Sequence, residues 1–168
     1  WLAPLARGEL RGTPALLGAG TSAAIGEFGM EARADGDGVV LDGEKVLVMD
    51  AASADFLLVA TADGRRHLVE REAEGVTVTA EPSIDLTRRL HSVRFEGVRV
   101  GSEATLDGGQ PEYLPVLWRA CVALAAESTG IAQRTLEMAV AYAKDREQFG
   151  RPIGAYQAVS HLCAKMLY

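Results

Sequence analysis

The chain has 168 residues, 48% hydrophobic and 24% charged, with 18 Gly, 2 Cys and a formal charge of −6. That length buries a real core, as one domain or two small ones, and those fractions exclude a disordered, collagen-like or coiled-coil chain. The longest uninterrupted apolar run, Ala120 to Ala126, falls short of the roughly 18 to 20 residues of a membrane span, so no span is expected. The two cysteines, Cys121 and Cys163, make no disulfide framework, which points to a reducing, cytoplasmic setting.

The charge is unevenly spread. Residues 1 to 112 carry 11 basic and 19 acidic side chains, whereas 113 to 168 carry 6 and 4. The acidic first part makes nucleic acid a poor partner, because neutralising the phosphate backbone supplies most non-specific affinity. The mildly basic second part suits a single phosphate group rather than a polyanion. The chain opens on Trp1 and stops at Tyr168 inside an apolar periodic stretch, and it reads as a segment of something longer.

In chain order, Met30 to Ala34, Val39 to Asp42 and Lys45 to Met49 read as strands. The intervening Asp35-Gly36-Asp37-Gly38 and Asp42-Gly43 read as hairpin turns. Phe56 to Thr61, His67 to Glu70, Val76 to Thr79 and Val93 to Val100 bring the total to about seven short strands. Val76-Thr77-Val78-Thr79 and Val93-Arg94-Phe95-Glu96 alternate with period two, as strands with one wet face do. The expected fold class is α+β: an antiparallel β sandwich or barrel, followed by two helices of a truncated four-helix bundle.

The period changes after Gly108-Gly109-Gln110-Pro111. From Leu114 through Leu117, Cys121, Leu124, Ile131, Leu136 and Ala143, apolar residues recur at three- and four-residue steps. This predicts one helix from about Glu112 to Arg146. Gly130 inside it suggests the close approach of another helix. Gly150-Arg151-Pro152 ends the segment, and a second helix starts near Ile153 with no stop signal before Tyr168. The expected domains are therefore 1–108 and 112–168.

Several local patterns are decoys. Gly18-Ala19-Gly20-Thr21-Ser22-Ala23 matches a dinucleotide-binding pattern, but Gly26 and Gly29 would fall in the helix that pattern requires, and a hairpin follows. It reads as a glycine-rich surface loop. His67 lies in a strand, His91 in a basic loop with Arg88 and Arg89, and His161 on the second helix. None has metal-ligand spacing, neither cysteine has a C-x-x-C partner, and no metal site is expected. Arg65-Arg66 reads as a charged turn.

The run Asp145-Arg146-Glu147-Gln148-Phe149-Gly150-Arg151-Pro152-Ile153-Gly154-Ala155-Tyr156-Gln157-Ala158-Val159 resembles the acyl-CoA dehydrogenase family, whose bundle helix ends in R-x-x-F-G-x-P-I before x-x-x-Q-A-V. Asp35-Gly36-Asp37-Gly38 through Leu41-Asp42-Gly43-Glu44-Lys45 is similar to its R-x-D-G-x-x-x-L-N-G-x-K hairpin. Ala54-Asp55 with Val59, and Thr87-Arg88 followed by Val93 to Val100, resemble two more of its strands. The likeness covers nearly the whole chain.

The resemblance implies a middle β domain joined to the start of a C-terminal helical bundle. It implies a FAD-dependent oxidoreductase acting on an acyl-CoA thioester, as in fatty acid or steroid side-chain metabolism. The oligomer, a dimer or tetramer of like or unlike subunits, would form through the bundle and pass electrons to a separate acceptor. The implied cofactor-binding residues are Arg146, Gln148, Phe149, Gly150 and Gln157, and the family's Arg and Phe contact FAD held mainly by a neighbouring subunit. An arginine offers a permanent charge and a planar fork of donors suited to a pyrophosphate. A cation at that position also simply favours a helix C-terminus.

Departures matter as much. The family's flavin-cradling loop, roughly A-L-T-E-P-x-A-G-S-D, corresponds to Ala15 through Ala24, where Leu17 replaces a hydroxyl and Ala23-Ala24 replace a Ser-Asp pair. Its second loop, aromatic-Ile-Ser/Thr-Asn-Gly, corresponds to Leu47-Val48-Met49-Asp50-Ala51, with Met49 in place of another hydroxyl. Each lost donor leaves a polar flavin edge unpaired, at about 1 to 3 kcal/mol if buried. The family's catalytic Glu is absent too: its position near the start of the long helix is Arg119 or Ala120, and neither Glu112 nor Glu127 takes the role. No catalytic residue is assigned. Two readings stay open, a catalytic subunit holding flavin through backbone contacts, and a non-catalytic partner lending Arg146 and Phe149 to a neighbour; the degraded cradle favours the second. A β-sandwich binding module is the remaining alternative.

Overall fold

A computed structural model describes residues 1–20, 27–106 and 110–167. The chain divides into two compact units, Trp1–Val116 and Leu117–Tyr168. The first contains a short helix α1 (Leu2–Ala6) and eight strands: β1 (Gly12–Ala15), β2 (Ala32–Asp35), β3 (Gly38–Met49), β4 (Phe56–Ala60), β5 (Arg66–Glu70), β6 (Val76–Glu81), β7 (Leu90–Val100) and β8 (Thr105–Leu106). They form two four-stranded sheets, ordered β1-β4-β5-β8 and β2-β3-β7-β6. Ala15, Leu57, Val59 and Val69 of one sheet share a core with Leu41, Val93, Phe95 and Val98 of the other. Two sheets burying their inner faces together are a sandwich, so the α+β expectation stands. One pair departs from it: β1 runs parallel to β4.

The Asp42-Gly43 turn is a correction. β3 runs unbroken through that site and pairs with β7 from Val39↔Val100 to Met49↔Leu90, with register shifts at Leu41/Gly43 and Lys45/Val48. Gly43, at φ 140°, sits in the first shift, and a Cβ there would come 3.0 Å from Met30 Cγ. The Asp42 carboxylate accepts the Gly97 N–H from β7 at 2.6 Å. The dipeptide therefore makes a bulge that bends a long strand. The true hairpin, Asp35–Gly38, joins β2 to β3 as expected.

Two other readings change. Arg66 opens β5 and is buried rather than part of an exposed turn, and His91 is buried in β7 with Nδ1 3.3 Å from the Val48 carbonyl. His67 is fully buried between Thr61 Oγ1 at 3.2 Å and Thr105 Oγ1 at 3.1 Å. Because Thr61 donates to Asp63 at 2.7 Å, the assignment that satisfies every group has His67 Nε2–H donating to Thr61 and Nδ1 accepting from Thr105. Burial holds this imidazole below its usual pKa despite Asp63 nearby. Among the described residues no three His, Cys, Asp or Glu side chains cluster as a metal site would.

Helix α2 (Gln110–Asp145) leads into the second unit, which also holds β9 (Glu147–Gln148), β10 (Arg151–Pro152), a 3-10 turn at Ile153–Ala155 and α3 (Gln157–Lys165). The second helix thus begins four residues later than Ile153. Leu114–Asp145 is long and apolar enough to cross a membrane by length and composition, at a hydropathy of 1.2. Counting uninterrupted runs misses this, because single polar residues punctuate an apolar helix. A Cβ at Gly130 would meet nothing within 4 Å among the described residues.

Candidate functional site

The five predicted cofactor residues lie on one continuous piece of the second unit. Arg146 follows the last turn of α2, its N–H donating to the Tyr142 carbonyl at 2.9 Å. Two strands of two residues follow, paired Gln148↔Arg151 and Glu147↔Pro152. Phe149 and Gly150 close the hairpin with φ of 54° and 77°. Positive φ at both central residues marks a type I′ turn, where Asn-Gly or Asp-Gly is the usual pair. Gly150 adopts it freely, whereas Phe149 does so at a cost of roughly 1–2 kcal/mol. Gln157 is the first residue of α3.

The hairpin is pinned at its base. The Ile153 N–H donates to the Arg146 carbonyl at 2.8 Å, and the chain then passes tightly against α2. A Cβ on Gly154 would come 2.9 Å from the Ala143 carbonyl oxygen, so only glycine allows that approach. A hollow of about 330 Å³ lies here, lined by Val140, Ala143, Lys144, Pro152 and Cys163 among others. Beyond the pinned base everything faces outward. Arg146, Gln148, Gly150 and Gln157 are exposed, and the Phe149 side chain is 91% exposed.

Charge completes the picture. Most arginines of this chain sit beside a carboxylate, as in Arg89–Asp50 at 3.0 Å and Arg94–Glu96 at 2.8 Å. Among the described residues Arg146 and Arg151 have no such partner, although Asp145 and Glu147 are sequence neighbours. A guanidinium with no carboxylate partner among the described residues, three residues before an exposed, strained aromatic ring, suits a ligand that is both anionic and aromatic. Sequence reasoning missed Arg151 and Tyr156. The Arg151 guanidinium lies 4.0 Å from the centre of the Tyr156 ring, whose hydroxyl donates to the Gln148 carbonyl at 3.1 Å. No periodicity signals such a pair, because a two-residue turn and a 3-10 turn bring it together.

The loops quoted for the flavin cradle belong to the first unit, and residues 21–26 lie outside the described residues. What is described is held by Lys45. Its side chain is fully buried, and its ammonium donates to the Leu16 carbonyl at 2.8 Å and the Phe28 carbonyl at 2.5 Å. Burial lowers its pKa to about 8. At the second loop, Leu47 lies in the second β3 register shift at φ 55°, and Asp50 lies just past the strand at φ 53°. Leu47 and Met49 are half-exposed there, an apolar surface in place of hydroxyls.

A β sandwich followed by bundle-type helices, with an arginine and an aromatic residue displayed where the helices meet, defines the class. Residues 117–168 match the model of the acyl-CoA dehydrogenase C-terminal domain. The chain is 30% identical over 179 residues to a probable acyl-CoA dehydrogenase, YngJ, of Bacillus subtilis, covering 98% of this chain and 47% of that one. It is 40% identical over 111 residues to the acyl-CoA dehydrogenase FadE34 of Mycobacterium tuberculosis, 66% of this chain and 15% of that one. A glutaryl-CoA dehydrogenase from Mycobacterium smegmatis, solved in complex with FADH2, superposes with a TM-score of 0.85 at 27% identity, over 98% of this chain and 45% of that one. The chain belongs to the acyl-CoA dehydrogenase family. It spans less than half the length of each of these relatives.

Proposed function

We propose that the whole protein is a FAD-dependent acyl-CoA dehydrogenase, with residues 1–108 as its middle β domain and 112–168 as the first two helices of its C-terminal bundle. The observation that carries this is the junction: an exposed Arg146 with no carboxylate partner among the described residues, followed three residues later by Phe149, strained and exposed on its hairpin. The family match over 117–168 supports reading apolar α2 as a bundle helix rather than a membrane span, and the protein as a cytoplasmic oligomer built through that bundle.

In this reading Arg146 binds the pyrophosphate of FAD, Phe149 gives its ring to the dinucleotide, and Gly150 lets the backbone come close. Gln148 and Gln157 supply amide donors and acceptors beside them. The flavin they hold belongs to a neighbouring subunit. A bound FAD would supply the hydride acceptor for the β-carbon of an acyl-CoA thioester and a donor of electrons to a separate acceptor. No base for the α-proton is assigned within this chain; Arg119 and Ala120 stand where one is expected. The acyl group is that of a fatty acid or a steroid side chain.

A second reading rests on Leu47 and Met49, which give the β3 bulge an apolar surface. Here the protein is the flavin-poor subunit of a mixed oligomer and completes the site of a catalytic partner. Flavin content of the whole protein purified alone separates the two. A yellow, stoichiometric and active FAD complex supports the self-sufficient enzyme and sinks the partner-subunit reading. Colourless protein that gains FAD only with a second chain does the reverse. Protein that takes up no FAD in either setting would sink both.

A further inference from the structure

The backbones of Arg146 and Gln148 close the base of the hairpin, but among the described residues no side chain of the cofactor set is bonded to the turn that holds Phe149 in its left-handed conformation. At φ 54° an L side chain crowds the following carbonyl, and at 91% exposed Phe149 gains almost nothing from burial in return. Such strain persists only where surrounding structure imposes it. Tyr156 reaches both strands of the hairpin. Its hydroxyl donates to the Gln148 carbonyl at 3.1 Å, which fixes β9 one residue before the turn. Its ring face carries the Arg151 guanidinium of β10 at 4.0 Å, one residue after the turn. A cation on an aromatic face is attracted to the ring quadrupole, and stacking leaves the in-plane N–H donors of Arg151 available.

We propose that Tyr156 and Arg151 are positioning residues that brace the Phe149–Gly150 turn in its left-handed form, and so set the affinity of this hairpin for the nucleoside diphosphate half of FAD. The inference rests on the cofactor-binding reading of the junction. One side chain ties both strands beside the backbone pairing, so loss of either contact loosens the turn and lets Phe149 relax away from the presented geometry.

The test uses the whole protein carrying Tyr156→Phe, Arg151→Ala or Arg151→Lys, read by amide hydrogen exchange and by FAD titration. Tyr156→Phe keeps the ring and removes only the hydroxyl bond. Exchange at the Gln148 to Ile153 amides is expected to rise about 3- to 10-fold, the usual range for one hydrogen bond, and FAD affinity to fall by a similar factor. Arg151→Ala has the same effect, and Arg151→Lys restores part of it because an ammonium still sits on the ring. In a Phe149→Gly background, where the turn is unstrained, Tyr156→Phe causes no further loss of FAD affinity. Unchanged exchange and unchanged FAD affinity in both Tyr156→Phe and Arg151→Ala would overturn the brace. Arg146→Ala keeps the two failures apart. If it leaves FAD affinity intact, the cofactor reading falls, while amide exchange still judges whether Tyr156 and Arg151 hold the turn.

Discussion

In the first unit the facing sheets bury Leu41, Leu57, Val59 and Phe95 to 1% exposure or less, whereas in the second Ala143 is the buried apolar residue among those described. Trp118, Val122, Ile131 and Leu162 of the second unit are each more than half exposed. The β unit thus carries its own core, while the helices present periodic apolar faces of the kind a bundle buries against further helices. Strain follows the same division. Leu47 takes a left-handed conformation at the second register shift between β3 and β7, and Asp50 takes one just past the end of β3, its N–H donating to the Arg89 carbonyl at 2.8 Å. Phe149 takes one at a tip with solvent around it, beyond a base closed by the β9–β10 pairing and the Ile153 N–H to Arg146 carbonyl bond, with Tyr156 bonded to the strand before it. In the β unit the left-handed residues are flanked by the β3–β7 ladder, whereas the exposed hairpin tip has a side-chain contact beside its short ladder.

That contrast can be broken experimentally, and the core offers the largest effect. Phe95→Ala removes a fully buried ring shared by both sheets and should cost about 3–5 kcal/mol. Urea unfolding of the whole protein checks this, with protection of the Gln148 to Ile153 amides unchanged. A loss below about 1 kcal/mol would mean that the sandwich is not the core described.

Lys45→Met comes next. It removes the ammonium donor from both carbonyls, but the Phe28 carbonyl keeps the Met30 N–H at 2.9 Å, so the loss falls on the Leu16 carbonyl, at about 1–3 kcal/mol. The lysine also gives the β unit a pH signature. Its pKa drops from 10.5 to about 8 on folding because burial disfavours the charge, while the two carbonyl acceptors work the other way. Between those values the unfolded chain binds more protons than the folded one, so stability rises with pH across that window and is lowest, and flat, below it. The rise is at most about 1.4 kcal/mol per pH unit. Unfolding midpoints from pH 7.5 to 10 should climb in the wild type relative to Lys45→Met, and parallel profiles would remove Lys45 from the account.

The smallest effect has the opposite sign. Phe149→Asn places a residue suited to the left-handed turn and should stabilise the hairpin by about 1 kcal/mol, seen as slower local amide exchange. It should weaken FAD binding at the same time, because the displayed ring is gone. A variant that gains stability and keeps full FAD affinity would show that the strain serves nothing.

Much of this was legible from residues. Alternation at Val76–Thr79 and Val93–Glu96 announced half-buried strands, and the three- and four-residue steps from Leu114 to Ala143 announced α2, because both patterns repeat the geometry that buries them. The junction motif placed all five candidate cofactor residues on one hairpin and helix start. Asp42-Gly43 misled because the same dipeptide serves a turn or a bulge, and the choice is made by β7 across the ladder, through the Gly97 N–H. Arg66 and His91 looked solvated since charge is a local signal, while their burial depends on what packs over them. Lys45 and Tyr156 both fall in the family-like motifs, but their roles as clamp and brace left no trace, because each acts on a backbone carbonyl, which every residue has.

The central claim is that the helix–hairpin junction binds FAD through Arg146, and FAD titration of the whole protein against its Arg146→Ala variant, followed by flavin fluorescence, tests it most directly. Losing charge-assisted hydrogen bonds to a phosphate predicts about 10- to 100-fold weaker binding, with the urea midpoint unchanged because the guanidinium is exposed and pairs with no carboxylate among the described residues. Equal affinities for the two proteins would contradict the account.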